Sequence, residues 1–195
     1  MHTIRFRLKT TSYDRQAMEK RFHALSHVHN VMVKHAKKLL KKLKFDAEYQ
    51  ELKKQYIELG KKPELSPSEK TQKKKLSAAM EEMRTRLGLS EYDFQAYLKV
   101  CGRRFVKCLS SQQVQKEASR VWAGAREVLF GDGEDIHFKK YMDFDTIPGK
   151  SNTNGVKFDA AAFSINWLGL TIKCIPPRKA ADAAYAAESL GHKIS

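Results

Sequence analysis

The chain has 195 residues, of which 42% are hydrophobic, so it is long and apolar enough to bury a core. Lysine and arginine number 37 against 22 aspartate and glutamate residues, which gives a net charge of +15. Such an excess of one sign repels itself and favours an anionic partner, most often a phosphate backbone. The sequence contains no apolar run of about 18 residues, so no segment is expected to span a bilayer.

The first predicted element is a strand, because apolar and basic residues alternate over residues 4–9. A long helix is predicted next, with Asp14 as its N-cap and an apolar stripe that continues to residue 43. The second half of this helix is rich in lysine, mostly away from the apolar stripe. These residues are Lys34, Lys37, Lys38, Lys41, Lys42 and Lys44.

Four further helices are predicted from their capping residues. Asp46 begins the second helix and Gly60 ends it. Ser66 and Glu69 form a capping box that begins the third helix, which runs to about Leu87. The other two begin at Ser90, with an interruption at Gly102, and at residues 110–113, with an end at Gly131.

Period-two alternation returns after the last helix and predicts strands. It occurs over residues 136–139, 156–158, 163–167 and 170–174, and Gly169 predicts a tight hairpin between the last two runs. Strands therefore precede and follow the helices in the sequence. We expect the first strand to join the later sheet, with the helices inserted between them.

The predicted fold class is α+β, a partial antiparallel β-barrel with an inserted helical bundle. The predicted domain boundaries are residues 1–12 for the first barrel strand, 13–131 for the helical insertion and 132–177 for the remaining strands. Residues 178–195 are alanine-rich and are predicted to form a weakly helical tail. The three cysteines form no C-x-x-C pair, and such sparse usage favours a reducing cytoplasm.

Metal and catalytic motifs are weak. His23 and His27 could share a helix face, but zinc needs further ligands, and Ala24 stands where the metalloprotease motif requires glutamate. Asp143 and Asp145 would point the same way on a strand, but a two-metal nuclease gathers several carboxylates from separate elements. Asp132, Glu134 and Asp135 are too local, because they lie in one turn. We therefore expect no metal, no cofactor and no catalytic residue.

The basic residues are the main functional signal. They occur in the first strand, in the first helix, over residues 70–75 and at Arg103, Arg104 and Lys107. Several aromatic residues stand beside basic ones and are expected to stack on bases or sugars. They are Phe6, Phe105, Phe138 and Tyr141. Two alternatives leave out nucleic acid: a helical protein-interaction module, or a membrane-surface module built on a basic amphipathic helix.

Five stretches carry a resemblance to a known family. They are residues 4–14 (IRFRLKTTSYD), 26–30 (SHVHN), 110–117 (SSQQVQKE), 136–147 (IHFKKYMDFDTI) and 149–152 (GKSN). They resemble the N-terminal half of TnpB-like proteins, the transposon-encoded RNA-guided nucleases related to type V CRISPR effectors.

The resemblance implies a wedge domain, a small OB-like barrel that grips guide RNA, split by a helical recognition domain that lines the guide–target duplex. Cleavage in the family belongs to a RuvC-like half that has no counterpart in this sequence, so the chain is expected not to be an enzyme. The implied partners are a structured guide RNA, target DNA and a separate C-terminal nuclease half, in a bacterial-type cytoplasm and on the nucleoid when DNA is bound. A decayed gene fragment, half of a split protein and a non-cutting regulator all remain open.

The resemblance also places binding residues by matching stretch. The implied RNA contacts are Arg5, Arg7, Lys9, His137, Lys139, Lys140, Lys150 and Asn152. The implied duplex contacts are Lys34, Lys38, Lys41, Gln112, Gln113 and Gln115, to which the basic cluster adds Arg103, Arg104 and Lys107.

Overall fold

A computed structural model of the chain describes residues 6–144, 146–147 and 156–176. The helices are α1 (Ser12–Lys44), α2 (Ala47–Gly60), α3 (Pro67–Arg86), α4 (Glu91–Gly102) and α5 (Ser111–Phe130), with 3-10 turns at Arg103–Phe105 and Tyr141–Asp143. The strands are β1 (Arg7–Lys9), β2 (Val156–Asp159), β3 (Ser164–Trp167) and β4 (Leu170–Ile175). The fold class is therefore α+β, as predicted. None of the described helices combines the length and the apolar character that crossing a membrane requires.

The chain folds as two compact units. The unit that we call the sheet unit contains, of the described residues, 6–29, 98–117, 139–144, 146–147 and 156–176, and the helical unit contains residues 30–97 and 118–138. Helices α1, α4 and α5 each contribute to both units. The domain boundaries predicted after residues 12 and 131 stay predictions. The predicted tail, residues 178–195, lies outside the described residues.

Capping hydrogen bonds begin α2, α3 and α4 where the sequence predicts. The Asp46 carboxylate accepts from the Tyr49 amide at 3.0 Å. Ser66 and Glu69 form the reciprocal capping box. The hydrogen bond that Lys62 donates to the Glu69 carboxylate, with smaller contributions from those of Ser66, lowers the pKa of Glu69 to about 2. These signals are readable in the sequence because each joins residues only three positions apart.

The predicted N-cap of α1 is wrong by three residues. Thr11 caps the helix, since its hydroxyl oxygen accepts from the Asp14 amide at 3.2 Å. The Asp14 carboxylate accepts in return from the Thr11 amide at 2.8 Å, which lowers the pKa of Asp14. Asp14 is thus the third residue of a reciprocal cap rather than the cap itself.

The helical unit has its own apolar core, built from residues of all five helices and the segment after α5. Phe94 and Trp122 meet edge to face with 5.3 Å between ring centroids. The buried Arg84 guanidinium donates to the Tyr49 hydroxyl at 3.3 Å and lies over the Phe130 ring. The buried apolar residues include Met32, Val33, Ala36, Leu39, Leu43, Leu59, Leu76, Met80, Met83, Phe94, Leu89, Val121, Ala125 and Ile136.

The strand predicted at residues 136–139 is wrong, because these residues form no regular secondary structure. Ile136 is buried and packs beside Gly124 of α5. The Lys139 carbonyl accepts a hydrogen bond from the Ser26 hydroxyl at 2.8 Å rather than from a neighbouring strand. The alternation in sequence thus reflects side-chain packing and side-chain hydrogen bonding without a strand ladder.

The four strands form an antiparallel sheet in the order β1-β4-β3-β2. Strand β1 pairs with β4, so the predicted joining of the first strand to the later sheet is confirmed. The hairpin predicted at Gly169 is also confirmed, and Leu168 and Gly169 have φ of 48° and 79°, the positive values of a type I′ turn. The sheet of the described residues is open and does not close into a barrel.

The pairing register divides the sheet into two faces, because residues opposite each other in antiparallel strands share a face. One face is apolar and carries Leu8, Val156, Phe158, Ile165, Trp167, Leu170, Ile172 and Cys174. Helix α1 contacts this face at the β3–β4 hairpin, where the Arg21 guanidinium lies over the Trp167 ring and donates to the carbonyls of Trp167 and Leu168, both at 3.1 Å. The other face is the candidate site.

Candidate nucleic-acid interface

The second face of the sheet, which we call the open face, is basic. Lys9 on β1 lies opposite Lys173 on β4, and Lys157 on β2 lies opposite Asn166 on β3. Arg7 shares this face because it is two residues from Lys9. All four cations are exposed, and none of them forms an ion pair with a residue that the structure describes. Their charge is therefore available to an anionic partner.

Uncharged polar groups lie between these cations. The Thr171 hydroxyl donates to the Asn166 side-chain oxygen at 2.6 Å, directly across the β3–β4 pair. Asp159 is on the same face, but its carboxylate accepts from the Ala162 amide at 3.0 Å within a turn. The open face thus combines four free cations with one carboxylate that is already hydrogen-bonded, and its charge remains strongly positive.

Aromatic side chains are packed away from the open face. Phe6 stacks on Phe158 at 5.1 Å, and Tyr141 stacks on His23 at 3.8 Å between centroids. Phe105 packs against His27 at 5.2 Å. Of the four aromatic residues expected to stack on bases, only Phe138 is largely exposed, and Lys37 lies over its ring. The open face therefore suits phosphates and sugars better than unstacked bases.

Sequence reasoning placed Arg7 and Lys9 in the RNA-binding set, and both lie on the open face. It missed Lys157 and Lys173, since strand register, which no local signal reveals, decides which side chains share a face. Arg5, Lys150 and Asn152 lie outside the described residues. The remaining predicted RNA contacts, His137, Lys139 and Lys140, are exposed but lie in the irregular segment before the 3-10 turn, and not on the sheet.

The residues predicted to contact a duplex fall into separate groups. Lys34, Lys38 and Lys41 are exposed and follow one ridge of α1 at i, i+4 and i+7, in the helical unit. The exposed residues Arg103, Arg104 and Lys107 belong to the sheet unit, at and after the first 3-10 turn. The lysines of α1 are the more regularly spaced group, because all three lie on one helix.

The three glutamines of the predicted duplex set lie at the start of α5. Gln113 is 1% exposed, and its side-chain oxygen accepts from the Ser110 amide at 2.8 Å. The backbone amide of Gln113 donates to the Ser110 hydroxyl at 3.3 Å, which completes a capping box. Gln113 therefore caps a helix inside the fold, and its predicted place on the binding surface is corrected. Gln112 and Gln115 are half-buried.

Histidine and carboxylate side chains do not gather into a metal centre in the described part of the chain. No group of three or more histidine, cysteine, aspartate or glutamate side chains there lies close enough to hold a metal ion. The His23 and His27 rings instead contact the rings of Tyr141 and Phe105.

Comparison with known proteins gives no match: no protein-family model, no curated protein and no solved structure is similar to this chain.

Proposed function

We propose that this protein binds structured RNA through the open face of its sheet and does not itself cut nucleic acid. The observation that carries the proposal is the set of four exposed cations on one face, Arg7, Lys9, Lys157 and Lys173. Adjacent strands are about 4.8 Å apart, so Lys9 and Lys173 can contact the same phosphate or neighbouring ones. Phosphate contacts of this kind supply affinity, and they release counterions.

The chemistry of the open face favours RNA over the alternatives. A membrane-surface module needs a row of apolar side chains beside its cations, and Ile175 is the one large apolar residue among the described residues of this face. The Asn166–Thr171 pair offers hydrogen-bonding groups between the cations, where a ribose 2′-hydroxyl could bind. Without aromatic side chains, contact is made through the shape and backbone of a folded RNA rather than through unstacked bases.

The resemblance to TnpB-like proteins makes the proposal more specific. In that interpretation the open sheet is part of a wedge barrel that is completed by further strands, and the RNA is a guide scaffold. The Lys34, Lys38 and Lys41 ridge then contacts a guide–target duplex, and a separate nuclease half performs any cleavage, in a bacterial-type cytoplasm. The order of strand, helices and strands in the described residues supports this specific form.

The test is a binding series across salt concentration with an RNA hairpin, duplex DNA and anionic vesicles. The variant Lys157→Ala/Lys173→Ala is compared with Lys61→Ala/Lys74→Ala, which removes the same charge from exposed positions in the helical unit. Each lost phosphate contact lowers the slope of log affinity against log salt by about one, so we expect a loss of about two in the first variant alone.

Three results would contradict the proposal or part of it. Equal losses in both variants would mean that overall charge, not the open face, determines binding. Vesicles that compete as well as the RNA would favour the membrane-surface alternative. Cleavage of a labelled target by the purified chain with Mg²⁺ would overturn the non-enzymatic part of the proposal.

A further inference from the structure

The helical unit contains a groove with a volume of about 770 Å³. It lies between the second half of α1, the start of α2, the end of α5 and the turn that follows α5. Ligand-binding pockets have volumes of about 300–1,000 Å³, so the groove is large enough for a small molecule. We infer that it is a second binding site, for one nucleoside phosphate, with the base over an apolar floor and the phosphate among lysines.

The floor and one edge of the groove suit an aromatic base. Leu40, Leu43, Val128 and Leu129 supply apolar side chains from α1 and α5. Phe45, directly after α1, lines the same groove and is 74% exposed. A large aromatic side chain that is left so exposed beside an apolar floor can stack on a base, whatever the identity of that base.

Three lysines supply the positive charge along the α1 and α2 side of the groove. Lys41 and Lys44 are on α1 and Lys53 is on α2, and all three are exposed. None of them forms an ion pair with a described residue. They line one groove from two helices, so a phosphate group bound there can contact lysines of both helices.

The opposite wall is the turn after α5, and it is held in place from both sides. The amides of Gly131 and Gly133 donate to the Glu127 carbonyl at 2.9 and 3.2 Å. The Lys37 ammonium forms an ion pair with the Asp135 carboxylate, and this hydrogen bond holds the pKa of Asp135 below its usual value. The wall is therefore in position before a ligand binds, which reduces the entropic cost of binding.

The charges on the two sides of the groove indicate the class of ligand. Glu134 lies on the turn wall and is exposed, so its carboxylate can accept hydrogen bonds from an amino-bearing base. A ligand that is anionic at one end and donates hydrogen bonds at the other matches this distribution. A nucleoside phosphate has both properties, whereas an acidic peptide would be repelled by Glu134.

Titration calorimetry with AMP, GMP, CMP and ribose 5-phosphate tests the inference. The variant Lys41→Ala/Lys53→Ala is compared with Lys42→Ala/Lys54→Ala, which removes the same charge from exposed neighbouring positions that do not line the groove. We expect the first variant to weaken nucleotide binding at least about tenfold and the second to change it less than about twofold. Phe45→Ala should weaken nucleotide binding by about tenfold and leave ribose 5-phosphate unchanged.

The source of the nucleotide is distinguished with a short single-stranded oligonucleotide and a copy that contains one abasic site. Tighter binding of the intact strand than of both AMP and the abasic copy identifies an unstacked nucleotide of a nucleic acid, because the two strands differ only in the base that the groove would hold. Equal binding of the two strands, with AMP bound in the groove, identifies a free nucleotide. The inference is overturned if no nucleotide binds at millimolar concentration, if ribose 5-phosphate binds as tightly as AMP, or if the two lysine variants behave alike. The groove does not depend on the sheet, so Lys157→Ala/Lys173→Ala should leave AMP binding unchanged.

Discussion

The imidazole Nδ1 of His29 on α1 lies 2.7 Å from Oε1 of Glu117 on α5, and these two side chains are almost fully buried in the sheet unit. The Phe144 ring packs edge-on against the imidazole at 5.5 Å, which keeps water away from the pair. A buried polar pair of this kind joins two helices directionally, and it is costly to break on one side only. The pair therefore fixes how α1 and α5 pack within this unit.

We expect Glu117→Ala to lower the free energy of unfolding by about 1–3 kcal/mol, because it removes an acceptor from a buried imidazole. Glu117→Gln keeps an oxygen at the same position and should cost less. Urea denaturation measures both, with Glu82→Ala on the exposed side of α3 as the control, expected to stay within about 0.5 kcal/mol. If Glu117→Ala and Glu82→Ala cost the same, the hydrogen bond does not stabilise the fold.

The β3–β4 turn contains a residue that is poorly suited to its backbone conformation. Leu168 has a φ of 48°, a left-handed value that costs a residue with a side chain about 1–2 kcal/mol. Asparagine tolerates this conformation and is favoured before glycine in type I′ turns. We expect Leu168→Asn to raise the free energy of unfolding by about 1 kcal/mol. The carbonyl of residue 168 that accepts from Arg21 is retained in this variant.

Thermal unfolding of Leu168→Asn and of Gly169→Ala checks this expectation. Gly169 has a φ of 79°, so an added methyl group should lower the stability. A lower unfolding midpoint for Leu168→Asn would show that the Leu168 side chain contributes more by packing than the turn loses by strain.

The features that sequence predicted well are those fixed by neighbours in the chain. The Ser66–Glu69 cap and the Gly169 hairpin each depend on residues at most a few positions apart. Asp14 shows the limit of this approach, because aspartate is favoured both as a cap and as the residue that completes one. Local chemistry therefore located the helix starts to within a turn.

The features that sequence missed depend on partners far away in the chain. Residues 136–139 alternate like a strand, but a strand also needs a free edge to pair with, and Ile136 packs on α5 instead. Lys157 and Lys173 share the open face only because of the register of three strands. A glutamine at the start of a helix can face solvent or cap the helix, and only the packing around Gln113 decides between them.

The stability of the helical unit should depend on pH through His35. Its ring stacks on Tyr97 with 3.7 Å between centroids. Burial of the His35 ring is the main cause that holds its pKa below the ordinary value of 6.5, and the positive charges of Lys38 and Lys42 lower the pKa further. The unfolded chain therefore binds a proton at a higher pH than the folded chain does. The free energy of unfolding is therefore highest above pH 6.5, the pKa of His35 in the unfolded chain. It falls as the pH drops from that value through the lower pKa of His35 in the folded chain.

We expect His35→Phe to reduce the loss of stability between about pH 7.5 and about pH 5.5, because phenylalanine can stack on Tyr97 but cannot be protonated. Lys38→Ala should reduce the same loss partially, since it removes one of the charges that lower the pKa. Urea denaturation at the two pH values measures the difference. An unchanged pH dependence in His35→Phe would assign the effect to another titrating group.

The approach of α4 to α5 in the sheet unit depends on the missing side chain of Gly102. A Cβ atom added at this position would lie 2.9 Å from Cγ1 and 3.0 Å from Cγ2 of Val114, closer than carbon atoms normally pack. The backbone conformation itself does not require glycine, since φ is −65°. Replacing an exposed helical glycine by alanine raises the free energy of unfolding by about 0.5–1 kcal/mol. The sign of the change at position 102 therefore tells whether the close contact with Val114 or the helix propensity of alanine has the larger effect.

We expect Gly102→Ala to lower the free energy of unfolding by about 1–3 kcal/mol, because the core on this side is already filled. Val114→Ala should also be destabilising, through the cavity that it leaves. Val114→Ala removes the methyl groups that the added Cβ would contact too closely, and the added Cβ fills part of the cavity that Val114→Ala leaves. The double variant should therefore lose at least about 1 kcal/mol less stability than the two single losses added together. Additive effects, or a stabilising Gly102→Ala, would show that α4 and α5 can separate at this point at no cost.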